Sequence, residues 1–206
     1  MHRCDGYGEV MEEIAPGIRH WTAKHPNLGI DVSSYWLPGL SALLDPIAVP
    51  DGVDDVEEIV LSNRHHVRDA LAAAERIGAR VRAPRVGMHE YDDDAAAAID
   101  PYDFEEPLAG GAITPYRVTP LWPDDCVLHI PSVAALEVAD AVTNYSGELE
   151  FVPERYMDDP KAEKRGLREG LARFAEQLEF DHLLPAHGQP IVGEGRDRLR
   201  EFVRAG

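Results

Sequence analysis

Twice along the chain a series of short apolar segments ends in a strand followed by an amphipathic helix, and this order restricts the fold more than any single residue does. The first series comprises 12–22, 32–37 and 41–44, divided by turn signals at Asn27-Leu28-Gly29 and Pro38-Gly39. A short strand at 57–61 follows. The spacing of Val67, Leu71, Ala74 and Ile77 then predicts a helix over His66–Ile77, with Gly78 placed to cap it and a strand at 79–83. The stretch 88–111, rich in acids and alanine and carrying Pro101 and Pro107, is expected to wrap the surface irregularly. The second series has strands at 113–118, 126–130 and 135–139, and a helix marked by Leu167, Leu171, Phe174 and Leu178. A strand at 182–185 and a last helix burying Leu199, Phe202 and Val203 complete it. Strands bury a face and amphipathic helices a stripe, so the expectation is a layered α/β sandwich, one domain over 1–206.

Charge sets the surroundings. The 38 acidic residues exceed the 20 basic ones, for a formal net charge of −18, and Lys24, Lys161 and Lys164 are the only lysines. A carboxylate surface almost free of lysine suits a halophilic, high-salt cytoplasm, where screening shortens the reach of self-repulsion. No basic stripe offers itself to a phosphate backbone, so no nucleic-acid partner is expected. No apolar run approaches the roughly 18 residues of a membrane span. The opening Met1-His2-Arg3-Cys4-Asp5-Gly6 lacks the apolar core of a secretory signal, and a cytoplasmic location is expected. Cys4 and Cys126 stand far apart with no CxxC pairing, and free thiols are the expectation in that compartment.

Three polar clusters lie just beyond strand ends: Ser62-Asn63-Arg64-His65-His66, Ala139-Asp140-Ala141, and Pro185-Ala186-His187-Gly188. If those strands lie side by side in one direction, their ends converge at one rim, where the ligands of α/β folds gather. Imidazoles together with a carboxylate make a zinc or iron ligand set. Ser62 lacks the glycines of a nucleophile elbow, and Gly193-Glu194-Gly195 is too short and acid-flanked for a phosphate loop. His25 lies on a loop that would rim such a site, while His20 and Trp21 read as strand residues, and His129 as a strand residue rather than a ligand.

These segments, in this order, resemble the metallo-β-lactamase-fold hydrolases. Leu-Ser-Asn-Arg-His-His at 61–66 is similar to the surroundings of that family's HxHxDH motif. Leu136-Glu137-Val138-Ala139-Asp140-Ala141-Val142 is similar to its segment ending in Gly-Asp-Ala, and Leu183-Leu184-Pro185-Ala186-His187-Gly188 to its last histidine motif. Leu43-Leu44-Asp45-Pro46 resembles the end of its opening hairpins. The resemblance implies a four-layer αβ/βα sandwich, two mixed sheets face to face with helices outside.

The departures thin the implied metal site. An ungapped match puts Asn63 and His65 on the first two histidines and Arg68 on the third. With two residues deleted, Asn63 stands on the first histidine, His65 on the aspartate and His66 on the third histidine, the register preferred here because it keeps the helix in step with Gly78. Near 121–125, where the central histidine belongs, there is none. The resemblance therefore implies one metal ion (zinc, or iron or manganese) held by His66, Asp140 and His187, with His65 a candidate fourth ligand. Asp140 would orient a water for attack on an ester, thioester, amide or lactone carbonyl of a small-molecule substrate. Asn63 and Arg68 are candidate substrate-binding residues, and Asn63 is equally a helix cap. Tyr156 and Met157 would cover the site. The alternative is a metal-free, non-catalytic binding module in which His66, Asp140 and His187 hydrogen-bond one another.

Overall fold

The structure, a computed structural model, describes residues 10–205. Cys4 and the opening segment lie outside the described residues. Seven strands make the first sheet in sequence order: β1 (Glu12–Ala15), β2 (Ile18–Lys24), β3 (Asp31–Leu37), β4 (Ala42–Leu44), β5 (Glu58–Val60), β6 (Arg80–Pro84) and β7 (Ile99–Tyr102). It is mixed: β1 to β4 pair antiparallel, and β4 to β7 pair parallel. The second sheet begins with β8 (Thr114–Arg117), β9 (Cys126–Ile130) and β10 (Ala135–Val138), all antiparallel. The chain then forms a small separate pair, β11 (Val142–Thr143) and β12 (Glu150–Phe151), before β13 (His182–Pro185) returns parallel to β10. The helices are α1 (Ala70–Ile77), α2 (Asp93–Ala98), α3 (Pro160–Gln177) and α4 (Gly195–Arg204).

Alternation along the strands separates three buried layers. Leu43, Ile59 and Val81 point to one face of the first sheet, where they meet Ala70 and Ala73 of α1 together with Trp21 and Trp36. Leu44, Val60, Tyr35 and Leu37 point to the other face, against Cys126, Leu128, Ile130 and Leu184 of the second sheet. Leu136, Val138 and Leu183 face away from that interior and pack under Leu167, Leu171 and Phe174 of α3 and Leu199 and Val203 of α4. Helix, sheet, sheet, helix is the expected four-layer arrangement. Each fully buried Leu, Ile or Phe contributes roughly 1.5–3 kcal/mol, and these three layers hold the fold together.

Three local expectations need correction. The stretch 88–111 is not irregular: it contains α2 and β7. Asp92 caps α2 by accepting from Ala95 N at 2.8 Å, Asp93 and Asp94 occupy the first turn, and a run of alanines follows. β7 then extends the sheet beside β6. The predicted helix from His66 begins only at Ala70. Asn63 instead caps a separate short turn, Arg64–His66, and Arg68 at φ +32° interrupts the helical run before α1. The apolar segment at 12–22 is also divided, with a turn at Pro16-Gly17 between β1 and β2. Cys126 is a buried free thiol, its Sγ 3.1 Å from the Ser62 carbonyl oxygen.

Candidate metal centre

The three polar clusters do converge, but across two sheets. β5 belongs to the first sheet and delivers residues 62–66; β10 and β13, parallel neighbours in the second, deliver Asp140 and His187. The His187 turn is fastened from both sides. Ser33 Oγ donates to the Gly188 carbonyl at 2.7 Å, Tyr35 Oη donates to the Pro185 carbonyl at 2.8 Å, and Ala186 N donates to the Val138 carbonyl at 2.9 Å. Asn144 N donates to the His187 carbonyl at 2.9 Å, and Gly188 lies so close to Asn144 that a Cβ there would sit 2.2 Å from its backbone.

His66, Asp140 and His187 each offer one ligand atom, and these atoms all lie within 4.8 Å of one another. His187 Nε2 and Asp140 Oδ1 are 2.8 Å apart, and the His66 and His187 rings meet edge to face with centroids 5.4 Å apart. His66 Nε2 is 3.4 Å from Asp140 Oδ1, an ion-pair contact misaligned for a hydrogen bond, so among the described residues it is a buried nitrogen with no hydrogen-bond partner. Its other nitrogen is anchored: Nδ1 is 2.7 Å from Asp45 Oδ2 and 2.9 Å from Ser62 Oγ. Ser62 N donates to Asp45 Oδ1 at 2.9 Å, and Ser62 Oγ also bonds to Asp45 Oδ2. A carboxylate behind Nδ1 aims Nε2 and raises its basicity, the arrangement that supports a ligating histidine.

Charge balance follows from these contacts. Burial and the Arg68 guanidinium push the His66 pKa down, but the Asp45 and Asp140 carboxylates outweigh them and hold it up at about 9. Asp140 is held well below the usual carboxylate range: burial opposes this, and the His66 charge and the His187 hydrogen bond prevail. Burial lowers His187 against the pull of Asp140.

The donor set of two imidazoles and a carboxylate, with one nitrogen buried and unpartnered, fits a single divalent ion. Donors of a tetrahedral zinc site lie about 3.3 Å apart; the 3.4 Å between His66 and Asp140 is close to this, and the 2.8 Å between His187 and Asp140 is shorter. A second ion does not fit beside it. Asn63 Nδ2 donates to Asp140 Oδ2 at 2.8 Å and to Asp125 Oδ1 at 3.0 Å, and an amide nitrogen is no cation ligand. Asn63, which the resemblance aligns with the first histidine of the motif, is thus engaged in a hydrogen bond with Asp125 and is not free to ligate. Burial and the neighbouring Asp140 charge push Asp125 up to about 8.

His65 falls outside the three-residue cluster; its ring lies edge-on to Trp122 on the wall of the adjoining cavity. Arg68 lines that cavity, whereas Asn63 is fully buried beneath it and does not. Asn63 also accepts from His65 N at 2.9 Å, as the cap reading anticipated. His25 rims the cavity. Tyr156 lines it too, but Met157 is buried in the layer under α3 and covers nothing. His20 is a buried strand residue whose Nε2 meets Ser33 Oγ at 3.0 Å. The sequence reading assigns no role to Asp45, Asp125 or Glu137, all buried. Asp45 carried a signal, a carboxylate straight after an apolar strand, like the three clusters; Asp125 and Glu137 carried none that set them apart.

No family profile and no curated protein matches the chain. Solved structures do. A metallo-β-lactamase from Erythrobacter litoralis superposes with a TM-score of 0.65 at 11% identity, over 97% of this chain and 98% of that one. DIM-1 metallo-β-lactamase gives 0.65 at 14% identity, over 96% and 97%. The Flv1 flavodiiron core from Synechocystis sp. PCC6803 gives 0.68 at 14% identity, over 96% of this chain and 60% of that one. Coverage end to end at such low identity means that layer order and strand connection are shared while the side chains have changed, and on that ground the chain has the metallo-β-lactamase fold, with a His-Asp-His cluster at the rim between its sheets.

Proposed function

We propose that the protein is a hydrolase of the metallo-β-lactamase fold that works with a single divalent ion, zinc or else iron or manganese, held by His66, Asp140 and His187. The observation carrying this reading is the unpartnered, buried His66 Nε2 facing Asp140 and His187 at the wall of a cavity of about 470 Å³. When bound, such an ion supplies Lewis acidity, bringing the pKa of a coordinated water to about 7 and polarising a carbonyl.

The chain's own residues prepare that chemistry. Asp45 and Ser62 lock the His66 ring, and Asn63 holds Asp140 Oδ2 so that Oδ1 is presented to the two imidazoles. Asp140 stays ionised, and its role is to accept a hydrogen bond and orient the attacking water, not to store a proton. The cavity admits a small ester, thioester, amide or lactone. His65 has no place in this ligand set.

The second reading, a metal-free binding module, is favoured by the 2.8 Å His187–Asp140 contact, a satisfied hydrogen bond without any ion. Metal content separates the two. Protein purified in high salt without chelator is expected to carry close to one equivalent of zinc, iron or manganese, and a His187→Ala variant to lose it. Folded wild type without metal, which also fails to take up added zinc, would discard the hydrolase reading.

A further inference from the structure

The cavity beside the cluster has a chemistry opposite to that of the molecule around it. In a chain with 38 acidic and 20 basic residues, the lining holds one carboxylate among the described residues, Asp140, already engaged by His187 and Asn63. Two guanidinium groups, Arg68 and Arg155, line the same space. The rest of the wall is mainly apolar or aromatic, with Trp122 and Val152 among it. Of the six large hydrophobic side chains exposed among the described residues, three belong to this lining: Leu28 at 54%, Tyr145 at 50% and Tyr156 at 37%. Such side chains gathered at one opening mark a surface that a ligand covers.

Arg68 stands out within it. Its backbone is at φ +32°, a region that disfavours any side chain beyond glycine, and a residue held there against its preference points to a role. Its guanidinium makes one hydrogen bond among the described residues, Nη1 to the Asp45 carbonyl at 3.1 Å, and its Nε is buried with no partner. Donors remain to be satisfied, in the planar fork that matches a carboxylate.

We infer that the cavity takes a small amphipathic carboxylate, its anionic end on Arg68 and its apolar body against Trp122, Leu28 and Tyr156. A monoanion is favoured over a phosphate monoester because the Asp140 charge lies in the same lining and would repel a dianion. This names the substrate class for the hydrolase reading and rests on that reading for catalysis; the binding itself needs no metal.

The test is calorimetric titration of octanoate, octan-1-ol and octyl phosphate into the full chain, both chelator-stripped and zinc-loaded. Octanoate is expected to bind the stripped protein and shift the emission of Trp122, the shift disappearing in Trp122→Phe. Octan-1-ol should bind on the order of tenfold or more weakly, the loss of a charge-assisted contact. Arg68→Gly suits the left-handed backbone and should fold, but lose the preference for octanoate over octanol; Arg68→Lys should recover part of it. Equal binding of octanol and octanoate, an unchanged preference in Arg68→Gly, or no binding of octanoate would overturn the inference. Tighter binding of octyl phosphate would replace carboxylate by phosphoryl as the recognised group. Octanoate binding in a protein that takes up no zinc would leave the inference standing and remove the hydrolase reading.

Discussion

Asp45 does its work from behind His66. It is 1% exposed, accepts from Ser62 N, and sits 2.7 Å from His66 Nδ1, so it decides which nitrogen faces the cluster. Asp45→Asn keeps the size and loses the charge, and zinc affinity is expected to fall by about 10–100-fold, as measured against a chromophoric chelator. Glu137 is a different case. Alternation along β10 turns it into the interior between the sheets, where neither carboxyl oxygen has a hydrogen-bond partner among the described residues. Burial, then the Asp45 charge, push its pKa well above the ordinary value, so the folded protein binds a proton there that the unfolded chain releases. With more protons bound in the native state, stability falls as pH rises above the ordinary glutamate range. Glu137→Met should therefore raise stability at pH 8 by about 1–3 kcal/mol in urea unfolding, and by less at pH 4, where the unfolded chain is protonated too.

At the scale of elements, the site depends on two connections that lie outside the strands and α-helices. The His187 turn follows β13 and threads between the sheets, and Gly188 permits the passage by having φ +94° and no Cβ against Asn144. Gly188→Ala is expected to cost at least about 2–3 kcal/mol in thermal or urea unfolding, and to lower metal content by displacing His187. The connection after β5 is fixed by side chains. Asn63 caps the turn, and Asp124 pairs with Arg64 and accepts from its backbone N at 2.7 Å, so His66 is delivered inward while His65 is left on Trp122.

At the scale of the molecule, the charge of −18 is spread over a scaffold whose buried layers are ordinary in composition. Self-repulsion acts against such a scaffold when screening is weak. The melting temperature is expected to rise steadily as salt increases from low concentration to 2 M, because the Debye length shrinks from about 10 Å at 0.1 M to about 3 Å at 1 M. A melting temperature independent of salt would show that the acidic surface does not set the working solvent. Among the described residues, no helix is long and apolar enough to cross a membrane.

The linear order of apolar periods determined the layers, because a strand must bury one face and an amphipathic helix one stripe wherever they stand in the fold. It also marked His66, Asp140 and His187, since each belongs to a polar cluster that comes after a strand, and strand ends are where a sheet fold exposes polar groups. It could not show that those strands belong to two sheets, nor that an acidic stretch without a hydrophobic period forms α2 and then β7, which extends the first sheet. The burial of Asp45, Asp125 and Glu137 was likewise out of reach, because an isolated carboxylate looks the same in sequence whether solvated or enclosed. What separates the two is the set of neighbours: Ser62 and Arg68 reach Asp45 only once β4 and β5 pair in the first sheet, and Asn63 reaches Asp125 only when the two sheets close on each other.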